Sequence, residues 1–249
     1  MPNGPLSFEP MKLHVHPDFD SLSTATAHLI AAYIRRKPAS LVCLASGHSP
    51  LGVFRNLVDE VRAGRLDVTN VTWVSLDEWA GIPADNPGSC RYMMDEGLFK
   101  PLAIPEDKIR FFHAMNHEPQ QEADQMNRFL EAHGGLDIML VGIGLNGHIA
   151  MNEPGTSFDL HAHVAQLSEE TIAVGQKYFQ SPTLLDKGIT LGLANLKESR
   201  LPILIANGEK KKAIVHEALT GAVTTQVPAS MLQTLPHAYV FIDQACHTS

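Results

Sequence analysis

The sequence predicts an α/β fold: a single-domain, Rossmann-like open sheet, mostly parallel, with helices on both faces and a lid segment. Two observations carry this. Short apolar runs at 12–14, 41–45, 71–76, 109–112, 136–141, 189–191, 201–206 and 238–242 alternate with longer amphipathic stretches. Several runs are apolar throughout, such as Ile138-Met139-Leu140-Val141, as strands covered on both faces require. The length of 249 residues suits one such domain, and 44% hydrophobic against 18% charged residues allows a sizeable core. No repeat, low-complexity tract or linker divides the chain, so 1–249 reads as one domain with a lid near 156–186.

The helices follow from spacing and stop signals. Residues 21–36 place Leu22, Ala25, Leu29, Ala32 and Tyr33 on one face. Residues 119–133 carry Ala123, Met126, Phe129 and Leu130 until Gly134-Gly135 stops them. Residues 210–219 form a third helix, closed by Gly221. The N-terminal stretch lacks a basic segment followed by an apolar one, so no signal peptide is expected. No run approaches a membrane span of ~20 apolar residues. The three cysteines, Cys43, Cys90 and Cys246, are far apart and in no metal-ligand spacing, which points to a reducing, cytoplasmic setting. A net charge of -8 argues against nucleic acid as a partner. The 13 histidines form no metal-binding spacing; His161 and His163 are expected in a loop.

In an open parallel sheet, ligands bind beyond the carboxyl ends of the strands. Four strand ends carry chemistry. After 41–45 comes Ser46-Gly47-His48-Ser49-Pro50-Leu51-Gly52, a tight turn with Ser49 as expected N-cap and Pro50 as first helical residue. Its converging N–H groups and helix dipole suit a phosphate, although an ordinary βα turn fits the same residues. After 71–76 comes Asp77-Glu78-Trp79, where partial burial would raise a carboxylate into the range of a general base. The alternative is a turn cap beside a solvated acid. After 136–141 comes Gly142-Ile143-Gly144-Leu145-Asn146-Gly147-His148, which matches the dinucleotide pattern GxGxxG. It lies mid-chain and runs into helix-breaking Asn152-Glu153-Pro154-Gly155, so dinucleotide binding is not expected. What remains is an imidazole with Asn146 and Glu153 near enough in sequence to orient it. After 201–206 comes Asn207-Gly208-Glu209-Lys210-Lys211-Lys212. Lysines at a helix start oppose the dipole, which suggests an anion nearby.

Together these segments, and Gly188-Ile189-Thr190-Leu191-Gly192, resemble the glucosamine-6-phosphate deaminase (isomerase) family along nearly the whole chain. The related 6-phosphogluconolactonases share the fold and the Gly-His loop but typically lack Asn-Glu-Pro. Asn146-Gly147-His148, Pro87-Gly88-Ser89-Cys90 and Val227-Pro228-Ala229-Ser230 look closest to the galactosamine-6-phosphate isomerase branch. The resemblance implies a hexosamine 6-phosphate as small-molecule partner, galacto or gluco, converted to a ketose 6-phosphate with release of ammonia. It implies that His148 opens the sugar ring, with Glu153 and Asn146 holding the imidazole nitrogens, that Asp77 moves the C2 proton, and that Glu78 supports from behind. The phosphate would rest on Ser46, Gly47, His48 and Ser49, with Lys210 and Lys177 as cations. No metal or organic cofactor is needed. A lactonase, or a sugar-phosphate sensor without turnover, is the alternative. Basic residues used for allosteric phosphate binding in hexameric relatives are replaced at His163 and Ala165, so activation by an N-acetylated sugar phosphate is not expected. Monomer and homo-oligomer both remain open.

Overall fold

The computed structural model describes residues 11–248. Chain order is β1 (Lys12–His16), α1 (Phe19–Arg36), β2 (Leu41–Leu44), α2 (Leu51–Arg62), β3 (Thr72–Val74), β4 (Asp77–Trp79), α3 (Cys90–Met94) and β5 (Ile109–Arg110). Then follow α4 (Pro119–Ala132), β6 (Ile138–Val141), β7 (His163–Gln166), α5 (Glu169–Gly175), β8 (Lys187–Thr190), α6 (Leu193–Glu198), β9 (Leu201–Ala206), α7 (Lys212–Thr220) and β10 (Tyr239–Asp243).

Seven strands form a parallel sheet in the order β1-β10-β9-β6-β2-β3-β5. Its central strands β2, β6 and β9 are buried at every residue, which is why their sequences show no alternation. One face packs against Leu22, Ile30 and Ile34 of α1 and Val53, Phe54 and Leu57 of α2. The other packs against α4, α6 and α7 through Met126, Leu130, Leu196, Ile214 and Val215. The open, mostly parallel sheet with helices on both faces is thus present. The chain grows outward from β2 through β3 to β5, and in the opposite direction from β6 through β9 to β10. The crevice between the ends of β2 and β6 is therefore the switch point where such sheets bind ligands.

One feature differs from the expectation. The run expected at 189–191 does not join the main sheet. It forms β8, which pairs antiparallel with β4 and β7 in a second, three-stranded sheet. The chain bends after β3, where Ser75 N–H donates to the Arg110 carbonyl at 2.9 Å, and re-enters as β4. That bend separates Asp77 from the main sheet and lays it over the crevice. His163 opens β7 rather than sharing a loop with His161, which pairs with Glu198 at 3.0 Å. Among the described residues no helix is long and apolar enough to cross a membrane.

Candidate active site

A cavity of about 820 Å³ opens at the carboxyl ends of β2, β6 and β9. Its wall includes Ser46, Gly47, His48, Ser49, Asp77, Asn146, His148, Lys177, Lys210 and Lys211. Four segments far apart in sequence thus meet as the motif reading expected. Glu153 and Glu78 stand behind the wall.

Asp77 is 8% exposed on β4. Burial pushes its carboxyl up to about 6, against smaller opposing effects of a hydrogen bond from Cys90 and the charge of His148. The Cys90 Sγ–Oδ1 distance is 3.4 Å. Glu78 is also buried, and burial pushes it up to about 7. It points away from the cavity and accepts the backbone N–H groups of Trp79, Cys90 and Arg91 at 2.9, 2.9 and 2.8 Å. It therefore ties the start of α3 to β4.

His148 stands on the loop after β6. Its ring presses against Gly144: a Cβ there would lie 2.4 Å from Nε2, so no other residue leaves the imidazole its place. Part of the GxGxxG pattern thus serves the histidine. Nδ1 lies 3.7 Å from Glu153 Oε2 and 3.3 Å from Thr171 Oγ1. Burial alone would raise the Glu153 carboxyl, but His148, Thr171 and the Ser168 amide outweigh it and hold it at about 2. It stays ionised and steadies positive charge on the imidazole. Asn152 secures the loop by donating to the carbonyls of Ile149 and Leu191 at 2.9 and 2.8 Å, and this delivers Glu153.

Asn146 departs from its expected role. It does not touch the ring nitrogens. Its Nδ2 donates to Glu153 Oε2 at 2.9 Å and its Oδ1 accepts the backbone N–H of His148 at 3.1 Å. The second contact to Nδ1 comes instead from Thr171, on α5. Nothing in the local sequence marked that residue, because α5 contacts the loop only through tertiary packing.

The loop after β2 leads into α2, whose N-cap is Pro50 rather than Ser49, and no side chain caps it. The Ser49 hydroxyl is thereby free to accept from Lys211 Nζ at 3.2 Å. Two neighbouring lysines line the cavity here. Lys210 is exposed at the cavity's edge, whereas Lys211 reaches the loop. Burial, reinforced by Lys177, holds the Lys211 ammonium below the usual lysine range. A signal for it was present: 211, 214, 215 and 218 follow helical spacing, and Ile214, Val215 and Ala218 are buried on that face of α7. Asp243 fixes the turn by accepting the Gly208 N–H at 3.1 and 3.0 Å. Lys177 lies on the turn after α5 beside Tyr178, which stacks on His48 with ring centroids 5.4 Å apart.

Residues 19–240 match the family model described as glucosamine-6-phosphate isomerases/6-phosphogluconolactonase. The chain is 36% identical over 235 residues to a glucosamine-6-phosphate deaminase of Geobacillus sp. (strain WCH70), covering 94% of each chain. It is 31% identical over 235 residues to one of Thermoanaerobacter pseudethanolicus, covering 94% of this chain and 93% of that one. A solved monomeric glucosamine-6-phosphate deaminase superposes with a TM-score of 0.91 at 31% identity, over 95% of this chain and 98% of that chain. The 6-phosphogluconolactonase of Trypanosoma brucei superposes with a TM-score of 0.78 at 22% identity, over 96% of this chain and 98% of that one, and so shares the fold. With the match spanning nearly the whole chain and every cavity-forming loop, this protein belongs to the glucosamine-6-phosphate isomerase/6-phosphogluconolactonase family.

Proposed function

We propose that the protein converts a hexosamine 6-phosphate, in the first place glucosamine 6-phosphate, into the ketohexose 6-phosphate and ammonia. The observation that carries this reading is a buried carboxylate, Asp77, with proton affinity raised to about 6, in one cavity with a carboxylate-backed imidazole and a lysine-flanked helix start. Lactone hydrolysis needs only the histidine and would leave Asp77 without a task. The deaminase names of the relatives at 31–36% identity support the same choice.

The sequence of events follows from the groups present. The phosphate settles at the uncapped start of α2, against loop 46–49, Lys211 and Lys177, where the dipole favours an anion. His148 moves a proton between the ring oxygen and O1, opening the ring to the aldehyde. Glu153 holds the positive charge that the imidazole gains. The C2–H, now next to a carbonyl, is acidic, and Asp77 removes it. A carboxylate near 6 is a stronger base than one in water and still ionised at neutral pH. Protonation at C1 gives a C2 imine, which water hydrolyses to the ketose and ammonia.

Ammonia release from glucosamine 6-phosphate and galactosamine 6-phosphate, with lactone hydrolysis in parallel, tests the reading. Ammonia from either sugar phosphate supports it, and the ratio assigns the C4 epimer. Lactone hydrolysis without ammonia overturns it.

A further inference from the structure

One buried group in the cavity wall has no part in the proton chemistry above. Cys90 opens α3, is 4% exposed, and directs its sulfur at Asp77 Oδ1 from 3.4 Å. Ser46, on the loop after β2, lies beside the same sulfur. The thiol thus stands between the loop at the start of α2 and the carboxylate. Its position is enforced from below. Glu78 accepts the N–H groups of Cys90 and Arg91 at 2.9 and 2.8 Å, and Ser89 Oγ caps α3 by accepting the Tyr92 N–H at 2.9 Å. Burial, with Glu78 and Asp77 nearby, pushes the thiol well above its ordinary range, so it remains an S–H donor and is a poor nucleophile.

We propose that Cys90 is a positioning residue for Asp77: its thiol donates to Oδ1, fixes the carboxylate's orientation in the cavity wall and favours its ionised form. Without the thiol, burial acts on Asp77 with less opposition, so its proton affinity rises. The other titratable groups facing Asp77 are His148 from the loop after β6, Glu78 on β4, Cys43 on β2 and Tyr178 from the turn after α5. Burial raises Cys43 and Tyr178, which stay protonated across the working range, and none of these groups is altered in the variants below. The consequence for turnover depends on Asp77 being the base; the geometry does not.

The direct test is the carboxyl titration of Asp77 by 13C NMR, with its signal assigned through Asp77→Asn. Cys90→Val, which keeps the volume and removes the donor, is expected to raise the midpoint by about half a pH unit. Cys90→Ser, a stronger donor, is expected to restore it or lower it below wild type. The acid limb of kcat for ammonia release should move with the NMR midpoint while KM stays unchanged. Cys90→Ala replaces Cys90→Val should the latter not fold. An Asp77 midpoint unchanged in the folded Val or Ala variant overturns the proposal. A wild type that releases no ammonia overturns the proposed function instead, and the NMR midpoints still decide the role of the thiol.

Discussion

Asp137 and Asp77 lie buried at opposite ends of the molecule's sheets, and their surroundings differ in kind. Asp137, just before β6, accepts from Lys37 Nζ at 2.7 and 2.8 Å, from the Leu41 N–H at 2.9 Å and from the Tyr33 hydroxyl at 3.1 Å, with Arg200 at 3.5 Å. These partners come from the approaches to β2 and β9 and from α1. The carboxylate is saturated and ties the amino ends of three adjacent strands together. Asp77, over the carboxyl ends, has a thiol at 3.4 Å and the more distant charge of His148. Asp137 commits its oxygens to holding strands together. Asp77 faces the cavity with few partners, burial raises its affinity for a proton, and that suits a reagent.

The largest effect that separates the two sites is on turnover. Asp77→Asn should reduce ammonia release at least ~1000-fold, because a positioned base is lost while the carboxamide keeps the shape. Asp137→Asn should leave kcat within twofold. Ammonia assays on both purified variants decide this, and a large kcat loss in Asp137→Asn would break the comparison.

Next is stability. Asp137→Asn should lower unfolding free energy by about 2 kcal/mol in urea melts, since it leaves Lys37 and the Leu41 amide poorly paired. The value lies below that for a fully buried pair because the Lys37 side chain is 47% exposed.

A tenfold effect is expected for Lys211→Ala, as a rise in KM for the sugar phosphate with kcat little changed. Lys210→Ala should change KM less than about twofold, in keeping with its exposure. Equal effects from the two lysines would remove the distinction drawn between them. Smallest is Thr171→Val, which removes a neutral contact to His148 and should lower kcat about threefold.

Much of this was legible in the sequence, for stated reasons. The central strands announced themselves because complete burial leaves unbroken apolar runs. The loops after β2, β6 and β9 were legible because parallel sheets place their chemistry there. The second sheet was not. β4 reads Asp-Glu-Trp, with no alternation, and becomes a strand only through its pairing with β8. Thr171 makes the contact expected of Asn146 because proximity in sequence does not determine which side chain reaches a ring nitrogen. Lys211 was hidden by two neighbouring lysines, although the buried stripe of α7 pointed to it.

The measurement that tests the central claim most directly is thermal melting of wild type and Asp77→Asn at pH 8 and at pH 5. The claim is that Asp77 is buried for its chemistry and at the expense of stability. Its folded-state value of about 6 stands above the ~3.9 of an unfolded aspartate. The stability associated with its proton is therefore full below about pH 4 and lost as pH rises through 6. At pH 8 the wild type must keep a poorly paired charge buried, whereas the carboxamide does not. Asp77→Asn should melt roughly 5 °C above wild type at pH 8, with the gap shrinking at pH 5. An Asp77→Asn protein that melts below wild type at both pH values would contradict the account, because it would make Asp77 a second Asp137.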